Sequence, residues 1–189
     1  VAEQTVAVAA ADYWFDTKYK RAYMNNFTTL VPIERTGSLR QSLRHVTRIL
    51  NDGYNALIFP EGTRSVTGDI AEFKPVIGYL ALNQKVGILP IYIWGTFEAF
   101  PKGMTIPKRA SFGAKIGAKV GAFLSYEDLR EMTAGVPNTE AYRLIAARVQ
   151  HEVENLRDGT RQKFDVVAVR KEWRAERRKA RKAEPIIDE

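Results

Sequence analysis

The stretch Asn55-Ala56-Leu57-Ile58-Phe59-Pro60-Glu61-Gly62-Thr63-Arg64-Ser65 runs from an apolar segment straight into a polar turn. Asn55 to Phe59 has little polarity, the pattern of a strand covered on both faces of a sheet. Pro60 to Thr63 then breaks it with residues that favour turns. A polar turn directly after a buried strand stands at the carboxyl edge of a sheet, where open α/β folds bind their ligands.

Working outward, Thr28 to Glu34 is β-rich, Arg35-Thr36-Gly37 forms a turn, and Ser38 suits a helix N-cap. Leu39, Leu43, Val46, Ile49 and Leu50 recur at helical spacing, and Asp52-Gly53 supplies a stop. Upstream, Thr5 to Ala11 reads as a short buried strand or the start of a helix. Asp12 to Asn26 reads as a helix whose aromatic face packs in the core. Downstream, Phe73 to Asn83 reads as a helix opened by Lys74-Pro75, and Val86 to Trp94 as a third buried strand. Ser111 to Ile116 and Lys119 to Leu124 are two short strands at a hairpin or sheet edge. Asn138 is the expected N-cap of a helix carrying Ala141, Leu144, Ile145, Val149, Val153 and Leu156 on one face, ended by Asp158-Gly159. Alternating strands and helices predict an α/β fold: a mixed sheet covered by helices, with a C-terminal helix and basic arm. The expected division is a main domain over 1–160 and a basic helix or disordered arm over 161–189.

The chain has 189 residues and a formal net charge of +7. Residues 161–182 hold ten Lys/Arg against three acids, so this segment alone carries the whole excess. Such an arm attracts anionic surfaces of any kind, and salt screens the attraction. Its one aromatic residue, Trp173, is too little for a base-stacking platform, so nucleic acid is not an expected partner. Cysteine is absent, which removes disulfides, thiolate metal sites and cysteine nucleophiles together. No metal or cofactor is expected. The longest apolar stretches fall well short of the roughly 20 residues of a membrane-spanning helix, so any membrane contact of these residues is expected to be peripheral.

In the turn, Gly62 allows backbone to approach a ligand, Thr63 offers a hydroxyl, and Arg64 presents a planar donor fork matched to phosphate or carboxylate oxygens. These are the parts of a phosphate cradle. The competing reading is a tight turn in which Glu61 and Arg64 pair with each other or with neighbours.

Phe59 to Ser65 resembles the Phe-Pro-Glu-Gly-Thr-Arg-Ser block of the 1-acylglycerol-3-phosphate acyltransferases, the glycerolipid acyltransferase family. Pro32-Ile33-Glu34-Arg35 is similar to the family's upstream block ending in arginine, and Leu89-Pro90-Ile91-Tyr92-Ile93 to its downstream Val-Pro-Val block. The three blocks occur in the family's order, and the resemblance spans roughly Thr5 to Leu124. It implies transfer of a fatty acyl group from acyl-CoA or acyl carrier protein to a lysophospholipid, namely 1-acylglycerol-3-phosphate (lysophosphatidic acid), in phospholipid biosynthesis at the cytoplasmic face of a membrane. It also implies an acceptor-phosphate site of Arg35, Glu61, Gly62, Thr63 and Arg64, with Ser65 a weaker candidate and Pro90 structural. One departure is that Pro75-Val76 intervenes before Gly78, where the family has a glycine closer to Phe73-Lys74.

The family's chemistry uses a histidine separated by four residues from an aspartate, the histidine drawing a proton from the acceptor hydroxyl and the aspartate orienting it. His45 and His151 are the chain's two histidines, and Leu50 and Leu156 stand five places beyond them. Neither fits, so no catalytic residue is expected in this chain. The pair is expected before Val1, and the chain alone is expected to be inactive. The alternative is a non-catalytic lysophospholipid- or membrane-binding module that keeps the phosphate pocket.

Overall fold

The computed structural model describes residues 4–10, 17–19, 22, 29–33, 43–101 and 115–183. Strand β1 (Thr5–Ala10) is the centre of a three-stranded sheet with β2 (Leu30–Ile33) on one side and β3 (Asn55–Leu57) on the other. Both pairings are parallel, with Val8 opposite Val31 and Val6 opposite Ala56. Pro32 occupies the edge strand β2, where the missing N–H breaks no ladder. Because β2 and β3 flank β1, the chain between them crosses over β1. That crossover contains α1 (Arg44–Asn51), which lays Leu43 and Val46 against Val8, Ile33, Ala56 and Ile58.

Helix α2 (Val76–Gln84) starts after Pro75 and is apolar on nearly every side. A helix of that composition belongs inside a protein, and α2 lies between two clusters. Leu80 joins the α1 side, while Ile77 and Ala81 join a larger core with Phe73, Leu129, Ile145, Val149 and Val153. Strand β4 (Ile91–Trp94) follows, then α3 (Thr96–Ala99), β5 (Gly117–Val120), α4 (Tyr126–Met132), α5 (Asn138–Asp158) and α6 (Val166–Ala183). β4 and β5 are antiparallel, with Ile91 opposite Val120, and the pairing is resumed at an Ile88–Leu124 bridge. The fold is therefore mixed α/β, the strands among the described residues divided between a parallel three-stranded sheet and an antiparallel pair.

Several expectations are corrected. Val86 to Trp94 is not a buried strand throughout: the strand is Ile91–Trp94, Leu89 before it is 47% and Trp94 38% exposed, and among the described residues β4 pairs with β5 rather than with the parallel sheet. Lys119–Leu124 starts later than the true strand, and its partner is β4; of Ser111–Ile116, residues 111–114 lie outside the described residues. Asn138 is the first residue of α5 rather than its cap, a position taken by Pro137 with no side-chain hydrogen bond. Most of Asp12–Asn26 lies outside the described residues, but Tyr19 is 89% exposed and does not pack in the core.

The basic segment is helical over Val166–Ala183 and is tied to α5. Glu140 of α5 accepts a hydrogen bond from Arg177 (3.1 Å) and another from Arg170 (3.0 Å), and the Arg143 guanidinium lies 4.5 Å from the Trp173 ring centre. The hydrogen bonds from Arg177 and then Arg170 hold the Glu140 carboxyl below its ordinary pKa. A carboxyl whose folded pKa is depressed contributes its full stability above the ordinary carboxylate range and loses it as the pH falls through the folded value. Hydrogen-exchange protection of the α6 amides, relative to their intrinsic rates, is therefore expected to fall on acidification through that range. Glu140→Gln should lower it at neutral pH and remove most of the pH dependence. A wild-type α6 whose protection ignores pH would contradict the clamp.

Candidate functional site at the end of β3

Beyond Leu57 the chain enters a loop closed at its base, where the Lys74 N–H donates to the Pro60 carbonyl at 2.8 Å. Within it, the Gly62 N–H donates to the Phe59 carbonyl (3.1 Å), and Gly62 has φ +72°. That left-handed conformation strains any residue with a Cβ, so the turn itself selects glycine here. The Glu61 carboxylate accepts the Ala71 N–H at 2.8 Å, stapling the loop across its width. The Ser65 hydroxyl accepts from the N–H groups of Thr67 (3.3 Å) and Gly68 (2.9 Å), setting the next bend.

Arg64 leaves this loop toward the end of α3. Its Nη1 donates to the Pro101 carbonyl at 3.2 Å, and its guanidinium carbon lies 4.7 Å from the Phe100 ring centre. A carbonyl on one edge and an aromatic face beneath fix both the position and the plane of the fork. Thr63 is exposed, and its hydroxyl has a long 3.5 Å contact to the Arg64 carbonyl. Such a contact is too weak to hold the hydroxyl against a better acceptor.

Of the five residues expected at the site, Glu61, Gly62, Thr63 and Arg64 share this one turn, with Glu61 holding the loop. Arg35 lies outside the described residues. Pro90 is fully buried, and its carbonyl accepts the Gly121 N–H, which suits a structural part. His45 is exposed on α1. His151 places Nε2 2.8 Å from the Gln162 carbonyl and packs on Phe164, so its ring serves the α5–α6 connection. Sequence reading did not single out Phe100 and Pro101, which lie 36 and 37 positions beyond Arg64 with no local pattern linking them to it. It also passed over Lys74, an exposed cation whose stem would touch a Cβ at position 62 at 4.0 Å. Its place directly after Phe73 in a loop ending at Pro75 was the one available signal.

A turn with an anchored guanidinium and an exposed glycine thus stands at the carboxyl end of a parallel strand, the edge at which open α/β folds bind their ligands. Residues 2–94 match the family model described as Acyltransferase. The 1-acyl-sn-glycerol-3-phosphate acyltransferase of Limnanthes alba is 39% identical over 64 residues, which cover 33% of this chain and 23% of that protein. A chloroplastic 1-acyl-sn-glycerol-3-phosphate acyltransferase of Arabidopsis thaliana is 33% identical over 76 residues, covering 39% and 21%. The crystal structure of the 1-acyl-sn-glycerophosphate (LPA) acyltransferase PlsC from Thermotoga maritima aligns with a TM-score of 0.53 and 24% identity over 85% of this chain and 59% of that one, so the two share a fold. The chain belongs to the acyltransferase family. Its matched part spans less than a quarter of the length of these curated relatives, 23% and 21%.

Proposed function

We propose that the Gly62–Arg64 turn binds the phosphate of a lysophosphatidate acceptor and that the protein serves transfer of a fatty acyl group to the acceptor's free hydroxyl. The observation that carries this reading is the Arg64 fork, held by Phe100 and Pro101 in the same turn as exposed Gly62. A phosphate monoester offers oxygens in the plane such a fork can meet with two parallel hydrogen bonds. Arg35 is proposed as a second cation, Thr63 as a hydroxyl donor, and Glu61 as the staple that shapes the loop. The proposed donor is a thioester, acyl-CoA or acyl carrier protein, with no further cofactor. In the transfer, the acceptor oxygen bonds to the acyl carbon, the carbon–sulfur bond breaks, and the hydroxyl proton passes by way of a base to the departing thiolate.

Neither His45 nor His151 suits the part of that base, one exposed on α1 and the other engaged with Gln162. Within this reading the base comes from outside residues 1–189, and these residues alone bind acceptor without turning it over. That same observation favours a second reading, a lysophospholipid-binding module without catalysis. Both readings place the protein peripherally on the cytoplasmic face of a membrane; among the described residues no helix is long and apolar enough to cross one.

The two readings share a test of the site. The chain is expected to bind lysophosphatidate in detergent micelles at least about tenfold more tightly than the monoacylglycerol that lacks its phosphate, since hydrogen bonds to a charged group contribute about 1.5–3 kcal/mol. Equal affinity for the two lipids would end the phosphate-site proposal. Acyl transfer by residues 1–189 alone would overturn the assignment of the base.

A further inference from the structure

Helix α6 presents two different lines of side chains. Arg170, Trp173 and Arg177 turn toward α5, where Glu140 and Arg143 hold them. Lys171, Arg174 and Arg178 are spaced three and four residues apart and so share another line along the helix. All three are exposed. Glu172 and Glu176, four apart, fall on a separate line and do not interrupt the cationic one. Val167, 76% exposed, continues the same line one turn before Lys171. Two ion pairs and a ring contact to α5 oppose rotation of α6 about its own axis, so the stripe keeps one orientation relative to the rest of the protein.

We propose that the Lys171–Arg174–Arg178 stripe of α6 is a docking surface for an anionic lipid bilayer. The proposal rests on the reading that the acceptor is a membrane lipid, and it names the surface that meets the membrane. A row of cations along one line of a helix can meet a flat plane of negative charge at several positions at once. The exposed Val167 at its start adds one apolar contact at the headgroup boundary, while the cationic line supplies the attraction. Nucleic acid suits the surface less well, because Trp173, the arm's one aromatic, is engaged with Arg143 on the other line and presents no stacking face to the stripe.

The test measures partition of residues 1–189 onto vesicles of equal parts phosphatidylcholine and phosphatidylglycerol, and onto vesicles of phosphatidylcholine alone. Binding to the anionic vesicles should exceed binding to the neutral ones and should weaken as salt is raised. The triple variant K171E/R174E/R178E should lose at least about a hundredfold in partition, since each basic residue near an anionic leaflet contributes about 1 kcal/mol. A control variant, R44E/K115E/R130E, changes the net charge equally at exposed positions on other elements and should retain most of the binding. Circular dichroism establishes that both variants keep their helices, and K171Q/R174Q/R178Q, which removes charge without adding acid, should fall between wild type and the reversed variant.

No preference of the wild-type protein for anionic vesicles would overturn the proposal, as would equal losses in the stripe and control variants. Tighter binding to a DNA duplex than to anionic vesicles under the same salt would overturn it in favour of nucleic acid. Lysophosphatidate affinity in detergent micelles separates the layers. If it survives while vesicle docking fails, the α6 surface is wrong and the acceptor site stands; if it fails while docking holds and the stripe variant abolishes docking, the surface stands without that site.

Discussion

Gly78→Ala is expected to lower the unfolding free energy by about 2–3 kcal/mol, against the gain of roughly 1 kcal/mol that the same change brings in an exposed helix interior. The reason is a backbone contact between α2 and α5. A Cβ on Gly78 would overlap the Tyr142 carbonyl oxygen and come within 2.7 Å of the Tyr142 Cα. Backbone cannot rotate aside as a side chain can, so the two helices must separate. Separation loosens the core they share, in which Ile77 and Ala81 of α2 meet Ile145 and Val149 of α5. The effect should reach the site as well, because α2 begins at Pro75, next to Lys74, whose N–H closes the loop onto Pro60. Urea unfolding and lysophosphatidate affinity are therefore expected to fall together in Gly78→Ala, and further in Gly78→Val. A variant as stable as wild type would mean that α2 and α5 do not approach this closely.

This contact also shows where sequence reading stops. The position of Gly78 looked like a departure near the acceptor, yet in the fold its lack of a side chain is what lets α2 lie against Tyr142. Most elements were legible because their causes are local. β1, β2 and β3 show as short β-rich or apolar runs, although β3 stops at Leu57 and Phe59, expected in a strand covered on both faces, is 56% exposed. Helix α5 shows as an apolar stripe that is buried from Ala141 to Val153 and half-buried at Leu156. Features set by distant partners were not legible. The division of the strands into two sheets depends on what β4 pairs with, and its partner β5 comes more than twenty residues later, beyond α3. The burial of Trp94 depends on whether a further layer covers the ribbon, which no residue of Ile91–Trp94 encodes. At the site, the block from Phe59 to Ser65 was enough to gather Glu61, Gly62, Thr63 and Arg64 into one turn. It could not reveal that Glu61 would staple Ala71 or that Arg64 would rest on Phe100, because those distances close only when the loop folds back and α3 arrives.

Arg64→Ala is expected to weaken lysophosphatidate binding about 10- to 100-fold, the equivalent of losing one charge-assisted hydrogen-bonding group of about 1.5–3 kcal/mol. Arg64→Lys should recover part of the loss. An ammonium restores the charge but neither the two-pronged geometry nor the flat face that packs on Phe100. Monoacylglycerol, which has no phosphate, should be bound equally by all three proteins, so the loss appears as a fall in the ratio of the two affinities rather than in binding as a whole. Arg64 also ties the loop to Pro101, and the alanine variant is expected to lose about 1 kcal/mol of stability from that hydrogen bond alone. The affinity ratio is insensitive to that loss when measured well below the unfolding transition. Thr63→Ala supplies the scale: its hydroxyl is neutral and loosely held, and its removal should cost less than tenfold. If the ratio is unchanged in Arg64→Ala, the guanidinium is only a strut between the loop and α3, and the phosphate must be met by other cations. Lys74, exposed beside Gly62, is the first to substitute in that event. A ratio that falls in Arg64→Ala and partly returns in Arg64→Lys is the result expected of a charge at this position acting on the phosphate.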